Sequence, residues 1–249
     1  MASTFVLQQD LATSRSILPS FAVSQSGAYG QGASEVLRSA VQRRGGRLRV
    51  TAVVTDLASQ KNRLTLESEG PVTEGLIARL DAFSKRLDRE HATAFSTRND
   101  TALQAFAAAA SASNREEQVK LLEQAVAIDP AFGLAQVALL ESVPSRALPD
   151  PRAVDRFAPL DRARYTALVA RIHHEPIGAL AADNAAVLSL APNNVEALAQ
   201  LGWLSFLQSK PAEGESLLRK AIGLTSQSLP LQIQLAQGLV ASRRFSQAT

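Results

Sequence analysis

The stretch from Leu198 to Ala221 decides the fold, and its sequence is LAQLGWLSFLQSKPAEGESLLRKA. Its Leu201-Gly202 pair recurs as Leu235-Ala236, and Gly214 recurs as Ala248, in each case 34 positions later. Small residues at such positions let two helices approach closely, while large residues fill the space between neighbouring hairpins. The period therefore predicts a repeat of helical hairpins.

Weaker copies of this pattern occur upstream. Residues 121–130, LLEQAVAIDP, match the second helix of such a hairpin together with its Asp-Pro ending. Further along, Pro192 is expected to end one helix and Asn193-Asn194 to cap the next. Between these units, residues 143–152 contain three prolines, so we expect the array to be irregular over residues 143–160.

These residues resemble the tetratricopeptide repeat family, whose units are 34 residues long. The resemblance implies a mainly α fold, with a tetratricopeptide α-solenoid over residues 99–249. The last predicted helix, roughly Leu229 to Ser242, has no second helix before Thr249. Because an unpaired helix of a solenoid leaves an apolar face in water, we expect the array to be truncated at its carboxyl end.

The amino-terminal residues 1–90 show a different pattern and predict a small α+β domain. In Arg47–Val54 the residues Leu48, Val50, Ala52 and Val54 alternate as in a half-buried strand, and Gly45-Gly46 predicts a hairpin turn. Glu35 to Arg43 would be the partner strand, and residues 64–68 a third. Helices are expected at Thr4 to Leu11 and after Pro71, where Leu76, Leu80, Phe83 and Leu87 form one stripe. Residues 91–98 would be a linker.

Residues 32–57 look like the β-hairpin of the TolB-type amino-terminal domain, with Asp56 following the second strand. In bacteria such domains often precede tetratricopeptide arrays, including behind adenylate cyclase, protein kinase or winged-helix modules. The chain lacks the family's usual first strand and has Ser39 where a glycine is common. The resemblance implies a bacterial sensing or adaptor module.

Bulk composition narrows the classes of function. The chain has 249 residues with 46% hydrophobic residues, enough to bury a sizeable core, and no cysteine, which excludes disulfides and thiolate chemistry. Its 26 cationic and 23 anionic side chains are interspersed, so a net charge of +3 does not predict a nucleic-acid partner. No apolar run long enough for a membrane span and no signal peptide are found, which predicts a soluble protein of the cytoplasm or periplasm.

Two motifs suggest chemistry but favour plainer interpretations. Gly27, Gly30 and Gly32 follow an apolar run, yet their spacing is the reverse of the dinucleotide fingerprint, so a connecting turn is favoured. His173-His174 would point about 100° apart on a helix and cannot readily chelate one ion. We therefore predict neither a cofactor nor a metal, and interpret the histidines as a helix end.

Charged clusters also receive a structural interpretation. Arg43, Arg44, Arg47 and Arg49 lie on the predicted hairpin without interleaved aromatic residues, which favours protection of a strand edge over phosphate binding. Acidic pairs such as Glu67 and Glu69, or Glu116 and Glu117, show no sign of acid–base chemistry. With no Gly-x-Ser-x-Gly motif, we predict a chain that is not an enzyme.

In tetratricopeptide arrays, fixed positions of the first helices line a concave groove. Carried over to this sequence, they are Arg162, Tyr165, Val169, Ile172, His173, Glu196, Ala199, Trp203, Phe206, Leu207, Ile233, Gln237, Val240 and Ala241. Trp203, the single tryptophan, is either an anchor for a peptide or part of the core. The groove lacks a cluster of basic residues, which favours an apolar segment as ligand.

The predicted function is a scaffold or adaptor that binds a protein through this groove. A second hypothesis is the regulatory carboxy-terminal portion of a bacterial signalling enzyme or transcription factor whose active module lies outside this chain. A third, in which the amino-terminal module binds a small molecule or nucleic acid, rests only on the glycine run and the arginine hairpin.

Overall fold

The computed structural model describes residues 3, 6–7, 10–13, 33–225 and 228–246, and the side chains of all of these except residues 243–246. Within them the chain is mainly helical, with ten α-helices that follow an amino-terminal three-stranded antiparallel sheet. The mainly α class and the amino-terminal sheet predicted from the sequence are confirmed.

The sheet consists of β1 (Glu35–Arg44), β2 (Arg47–Asp56) and β3 (Asn62–Pro71), in that spatial order. The predicted hairpin joins β1 to β2, with Val41 opposite Val50. Gly45 and Gly46 have positive φ angles of 55° and 74°. A two-residue type I′ hairpin turn requires positive φ at both of its central residues, and glycine adopts such angles without strain. The third strand is longer than the predicted residues 64–68.

One face of the sheet is buried, as the alternation predicts. Leu48, Val50 and Ala52 of β2 are buried, whereas Arg49, which lies between two of them, is exposed. The alternation fails at the end of β2, where the register shifts, so that Thr55 is buried and the predicted Val54 is only half-buried. Helix α1 (Leu76–Leu87) contacts β2. The sheet and this helix therefore form two layers over a shared apolar core.

Helix α1 begins later than its sequence pattern suggested. A 3-10 turn, Val72–Glu74, follows Pro71, and Gly75 with φ 77° separates it from the helix. The carboxylate of Asp100 accepts hydrogen bonds from the backbone N–H groups of Leu76 and Ile77, at 2.7 and 3.3 Å, and so satisfies two donors of the first turn. This placement buries Ile77 and leaves Leu76 only partly covered.

The predicted amino-terminal helix, Thr4 to Leu11, lies partly outside the described residues. Ser3, Val6, Leu7 and Asp10 are helical. Val6 and Leu7 are buried in the same core as the sheet, and the backbone N–H of Thr93 donates to the carbonyl of Asp10 at 2.9 Å. The helical residues are therefore tied to the segment that follows α1.

The remaining helices follow in sequence order. They are α2 (Asp100–Ala109), α3 (Arg115–Ile128), α4 (Gly133–Ser142), α5 (Pro151–Val154), α6 (Pro159–Ile172), α7 (Ile177–Leu190), α8 (Val195–Leu207), α9 (Pro211–Leu224) and α10 (Leu229–Ser246). Apart from the single-turn α5, each packs against the next along the chain, and α10 also packs against α8. The short α5 and the loop before it occupy the proline-rich segment.

One continuous apolar cluster contains side chains from the segment before residues 91–98 and from the helices after them. It joins Val50 of the sheet and Leu80 of α1 to Phe106 of α2. Phe95, within the predicted linker, is buried, and its ring centroid lies 5.6 Å from that of Phe132 in an edge-to-face arrangement. Residues 91–98 thus contribute to the core.

None of the helices in the described part of the chain is long and apolar enough to cross a membrane.

Candidate functional site

The predicted groove positions of α6 are largely covered. Tyr165 is 7% exposed and its ring meets that of Phe157 edge to face, with centroids 5.6 Å apart. Val169 and Ile172 pack against the same cluster. Because Phe157 belongs to the segment 143–160 that was expected to be irregular, this segment folds over the face of α6 on which the groove was expected.

Arg162 and His173 are the exposed members of the α6 set. The guanidinium of Arg162 donates to the backbone carbonyl of Asp155. His173 caps the carboxyl end of α6, and His174 follows with a positive φ of 54°. The prediction that the two histidines lie at a helix end is confirmed.

Two predicted positions of α8 belong to the core. Ala199 is buried, and the side-chain amide of Gln234 donates to its carbonyl at 3.4 Å. Phe206 lies between two glycines of neighbouring helices. A Cβ atom would come within 2.8 Å of its ring if built on Gly214, and within 2.4 Å if built on Gly238. Phe206 therefore holds α8, α9 and α10 together.

A row of side chains along α8 remains open, and we call it the α8 stripe: Glu196, Gln200, Trp203 and Leu207. These residues are four, three and four positions apart, which places them on one side of a helix. Leu207 is 51% exposed, Glu196 is exposed, and Trp203 and Gln200 are partly exposed. The stripe has a polar amino-terminal half and an apolar carboxy-terminal half.

Local sequence explains the position of this stripe. The side chain of Asn194 accepts a hydrogen bond from the backbone N–H of Ala197 at 2.9 Å and caps α8 at its amino end. Gly202 lies against α9, where an added Cβ would meet Leu218 at 2.9 Å. Because Gly202 has no side chain, α8 packs closely against α9 on this side, and the α8 stripe on the other side faces outward.

The polar half of the stripe borders a crevice between α4, α6, α7 and α8. Arg171 pairs with Glu196 at 3.1 Å, and Arg164 and Glu141 also line the crevice. Burial raises the pKa of the Glu141 carboxyl above its usual range, and the nearby Glu196 adds to this effect. The cavity has a volume of about 30 Å³, well below the roughly 300–1,000 Å³ of a small-molecule pocket.

The predicted positions on α10 are open. Ile233 is 49% exposed, Val240 is 51% exposed and Gln237 is exposed. Ala241 is partly exposed. The opposite side of α10 is buried through Leu235 and Gly238.

The arginine hairpin is partly neutralised by neighbouring strands. Arg47 pairs with Glu69 at 2.8 Å and Arg49 with Glu67 at 2.9 Å across β2 and β3. Arg43 is exposed, as is Arg44 at the end of β1. The acidic residues Glu67 and Glu69 thus act as cross-strand partners.

The run Gly27, Gly30 and Gly32 lies outside the described residues. In the part of the chain that the structure describes, no group of three or more histidine, aspartate or glutamate side chains could hold a metal ion.

One cluster could not be found from the sequence. The hydroxyl of Ser84 donates to the buried carboxyl group of Asp10 at 2.9 Å, although the two residues are 74 positions apart. Asp81 lies beside Asp10 and accepts from the backbone N–H of Phe95 at 3.2 Å and from Arg98. Burial, reinforced by the neighbouring Asp81, raises the pKa of Asp10 to about 9. This cluster attaches the amino-terminal helical residues to α1.

No protein-family model matches the sequence, and no curated protein is significantly similar to it.

Proposed function

We propose that the chain is a non-catalytic scaffold that binds a partner protein through the α8 stripe. The observation that carries this proposal is the half-exposed Leu207 one turn after the partly exposed Trp203, on a helix whose opposite side is core. Large apolar side chains that stay open on an otherwise packed helix are typical anchors of protein interfaces, and tryptophan is enriched among interface hot spots.

The 34-residue recurrence of small residues supports the proposal that the helices form a tetratricopeptide-type array. In the α8–α9 hairpin, Gly202 and Gly214 approach so closely that a Cβ on Gly214 would lie 2.7 Å from the Gly202 carbonyl oxygen. These are the two small residues that recur 34 positions later as Ala236 and Ala248. The close approach gives a steric reason for the repeated small residues and favours a binding architecture over a catalytic one.

The partner segment proposed for the stripe is an amphipathic helix. A straight row of side chains along α8 is the kind of ridge that packs against the apolar face of another helix. Trp203 and Leu207, which form the apolar half of the stripe, would contact the large apolar side chains of the bound helix. The charged rim formed by Arg171 and Glu196 would face polar residues at one end of the bound helix.

The test uses a displayed library of amphipathic helical peptides, selected for binding to the whole chain. Trp203 is the only tryptophan, so its fluorescence reports directly on this surface. We expect selected peptides to shift its emission and to lose roughly ten-fold in affinity for the variant Leu207→Gln, because one anchor is worth about 1.4 kcal/mol or more.

Leu148→Gln is the matched control, since Leu148 is a leucine with 46% exposure that lies in the proline-rich segment. It should leave peptide affinity unchanged. Equal loss of affinity in both variants, or a library that yields no peptide binding below roughly 100 μM, would overturn the proposal. Circular dichroism of each variant shows that the helices remain folded.

A further inference from the structure

Three cationic side chains surround an open concavity at the carboxyl end of α1. Lys85, Arg86 and Arg89 line it together with Ala92, and we call the three charged residues the α1 basic cluster. The concavity has a volume of about 620 Å³, which lies within the roughly 300–1,000 Å³ of small-molecule pockets. All three cationic residues are exposed, so their charges are accessible to a ligand from solution.

The α1 basic cluster has no carboxylate partner in the described part of the chain. Every aspartate and glutamate of the sequence lies among the described residues, and none of them forms an ion pair with Lys85, Arg86 or Arg89 there. By contrast, Arg47 and Arg49 of the hairpin each pair with a glutamate of β3. Direct contacts therefore leave the charge of the cluster uncompensated.

The acidic residues nearest to the cluster in sequence are engaged elsewhere or lie outside the concavity. Asp81 is buried and pairs with Arg98. The side chain of Asp88 is only 12% exposed and contacts the ring and the backbone N–H of His91, at 3.1 Å in both cases. Glu90 is exposed and does not line the concavity. The charged side chains that line the concavity in the described part of the chain are thus all cationic.

The helix dipole accounts for only part of this arrangement. Lys85 and Arg86 lie in the last turn of α1, where cations interact favourably with the unpaired carbonyl groups of a helix. Arg89 lies beyond the end of the helix at Leu87, and the effect of the dipole falls off within the last turn. The third cation at the same concavity therefore favours a ligand site over compensation of the helix end alone.

The backbone around the cluster is fixed by packing and hydrogen bonds. Phe83 and Ser84, which precede the cluster on α1, are buried, and the backbone N–H of Asp88 donates to the carbonyl of Ser84 at 2.9 Å. In the turn that follows, the N–H of Ala92 donates to the carbonyl of Asp88 at 3.0 Å. A site held in place before binding loses less entropy when the ligand arrives.

We propose that the α1 basic cluster binds a small anionic ligand that carries two or more phosphate groups. A guanidinium group can donate two parallel hydrogen bonds to phosphate oxygens, and a lysine ammonium adds a point charge. One phosphate group carries at most about two negative charges at pH 7, so a second is needed to balance three cations. The residues of this site are distinct from the glycine run and the arginine hairpin, on which the sequence-based hypothesis of a small-molecule or nucleic-acid site depended.

The first test is equilibrium dialysis of the whole chain against radiolabelled inorganic pyrophosphate, at about 0.15 M salt and without divalent metal ions. We expect a dissociation constant of about 100 μM or lower. The double variant Arg86→Gln, Arg89→Gln should weaken binding by at least about ten-fold, because the charged hydrogen bonds to phosphate are lost. Absence of bound pyrophosphate at millimolar concentrations would overturn the proposal.

The double variant Arg43→Gln, Arg44→Gln is the matched control. It removes the same charge from two exposed arginines at the end of β1, which form no ion pair with any described residue. The control should leave the affinity for pyrophosphate unchanged. Equal weakening by both double variants would show that only the net charge of the chain attracts the anion, and would contradict a defined site. Circular dichroism checks that both variants remain folded.

The second test needs no variant. Acetylation of lysines followed by mass spectrometry measures how accessible each ammonium group is. Saturating pyrophosphate should slow the acetylation of Lys85 several-fold and leave that of Lys61 and Lys120, which are also exposed, unchanged. A rate at Lys85 that is the same with and without bound pyrophosphate would contradict the proposed site.

Competition identifies which part of the ligand is bound. Tripolyphosphate and ATP should both displace pyrophosphate, and the tighter of the two distinguishes an inorganic phosphate chain from a nucleotide as the source of the phosphate groups. Adenosine should not compete, and displacement by adenosine would contradict recognition through phosphate. A single-stranded oligonucleotide that binds through Arg86 and Arg89 where pyrophosphate does not would identify a nucleic-acid backbone as the ligand and overturn the proposal.

The phosphate site and the α8 stripe fail separately, because they use different residues. Leu207→Gln should leave the affinity for pyrophosphate unchanged. The double variant Arg86→Gln, Arg89→Gln should likewise leave the affinity of the α8 stripe for a selected peptide unchanged.

Discussion

Gly238 lies directly against the ring of Phe206, because a Cβ atom built on this glycine would come within 2.4 Å of Cδ2 of the ring. The contact fixes α10 to α8 through a position where no side chain larger than hydrogen fits. Gly238→Ala should therefore lower the free energy of unfolding by about 1–3 kcal/mol, as overpacking of a closely fitted contact does. Urea unfolding followed by circular dichroism measures this change.

Gly223 of α9 is the matched control. It is also a helical glycine, but a Cβ added there would meet no atom within 4 Å. Gly223→Ala should stabilise the chain by up to about 1 kcal/mol, since alanine loses less backbone entropy in a helix than glycine. Equal destabilisation by both alanines would contradict the role assigned to Phe206.

Phe206 and Trp203 should respond differently to truncation, although they are only one turn apart. Phe206→Ala removes a ring packed between two helices and should lower the free energy of unfolding by about 3 kcal/mol. Trp203→Ala should cost only about 1 kcal/mol, because this partly exposed ring, unlike Phe206, is not packed against the apolar cluster of α8, α9 and α10. Similar large losses for both would show that Trp203 belongs to the core.

The insertion before α6 should contribute to stability through a single ring. Phe157 is buried and covers Tyr165, so Phe157→Ala should lower the free energy of unfolding by about 3–4 kcal/mol. Because burial raises the pKa of the Tyr165 phenol, the same substitution should bring that pKa back toward 10. Ultraviolet titration in a Tyr29→Phe background, where Tyr165 is the single phenol, measures the second effect. An unchanged titration would mean that the ring does not cover Tyr165.

The buried carboxyl of Asp10 predicts an unusual dependence of stability on pH. Its pKa rises from 3.8 in the unfolded chain to about 9 in the folded one, chiefly through burial and next through Asp81. The folded state therefore holds one more proton between these values. The stabilisation is complete below about pH 4 and is lost progressively as the pH rises to about 9.

Asp10→Asn isolates this effect, because the amide keeps an acceptor for Ser84 and cannot ionise. The difference in free energy of unfolding between variant and parent should shift in favour of the variant as pH rises from 5 to 8. Chemical unfolding at several pH values measures it. Parallel curves for the two proteins would show that Asp10 does not carry the extra proton.

Sequence patterns anticipated the features that depend on neighbours along the chain. The β1–β2 hairpin followed from alternation and Gly45-Gly46, and α8 and α9 from helical spacing around Gly202 and Gly214. These patterns are local, so the residues that determine them lie within one or two elements.

Features that depend on distant segments could not be anticipated. Tyr165 occupies a groove position of the repeat, yet Phe157 from the irregular insertion buries it. Likewise, Ile233 and Ala199 share one position of the repeat and differ in exposure, because α10 covers only the earlier one. Whether a residue is open thus depends on what packs over it, which the repeat period does not encode.

The most direct test of the central claim is the accessibility of Trp203 to acrylamide, with and without a selected helical peptide. Binding to the α8 stripe should reduce the quenching constant of this single tryptophan in the parent chain, and at the same peptide concentration should do so far less in Leu207→Gln. A peptide that binds at saturation while the quenching of Trp203 stays unchanged would contradict the assignment of the α8 stripe as the binding surface.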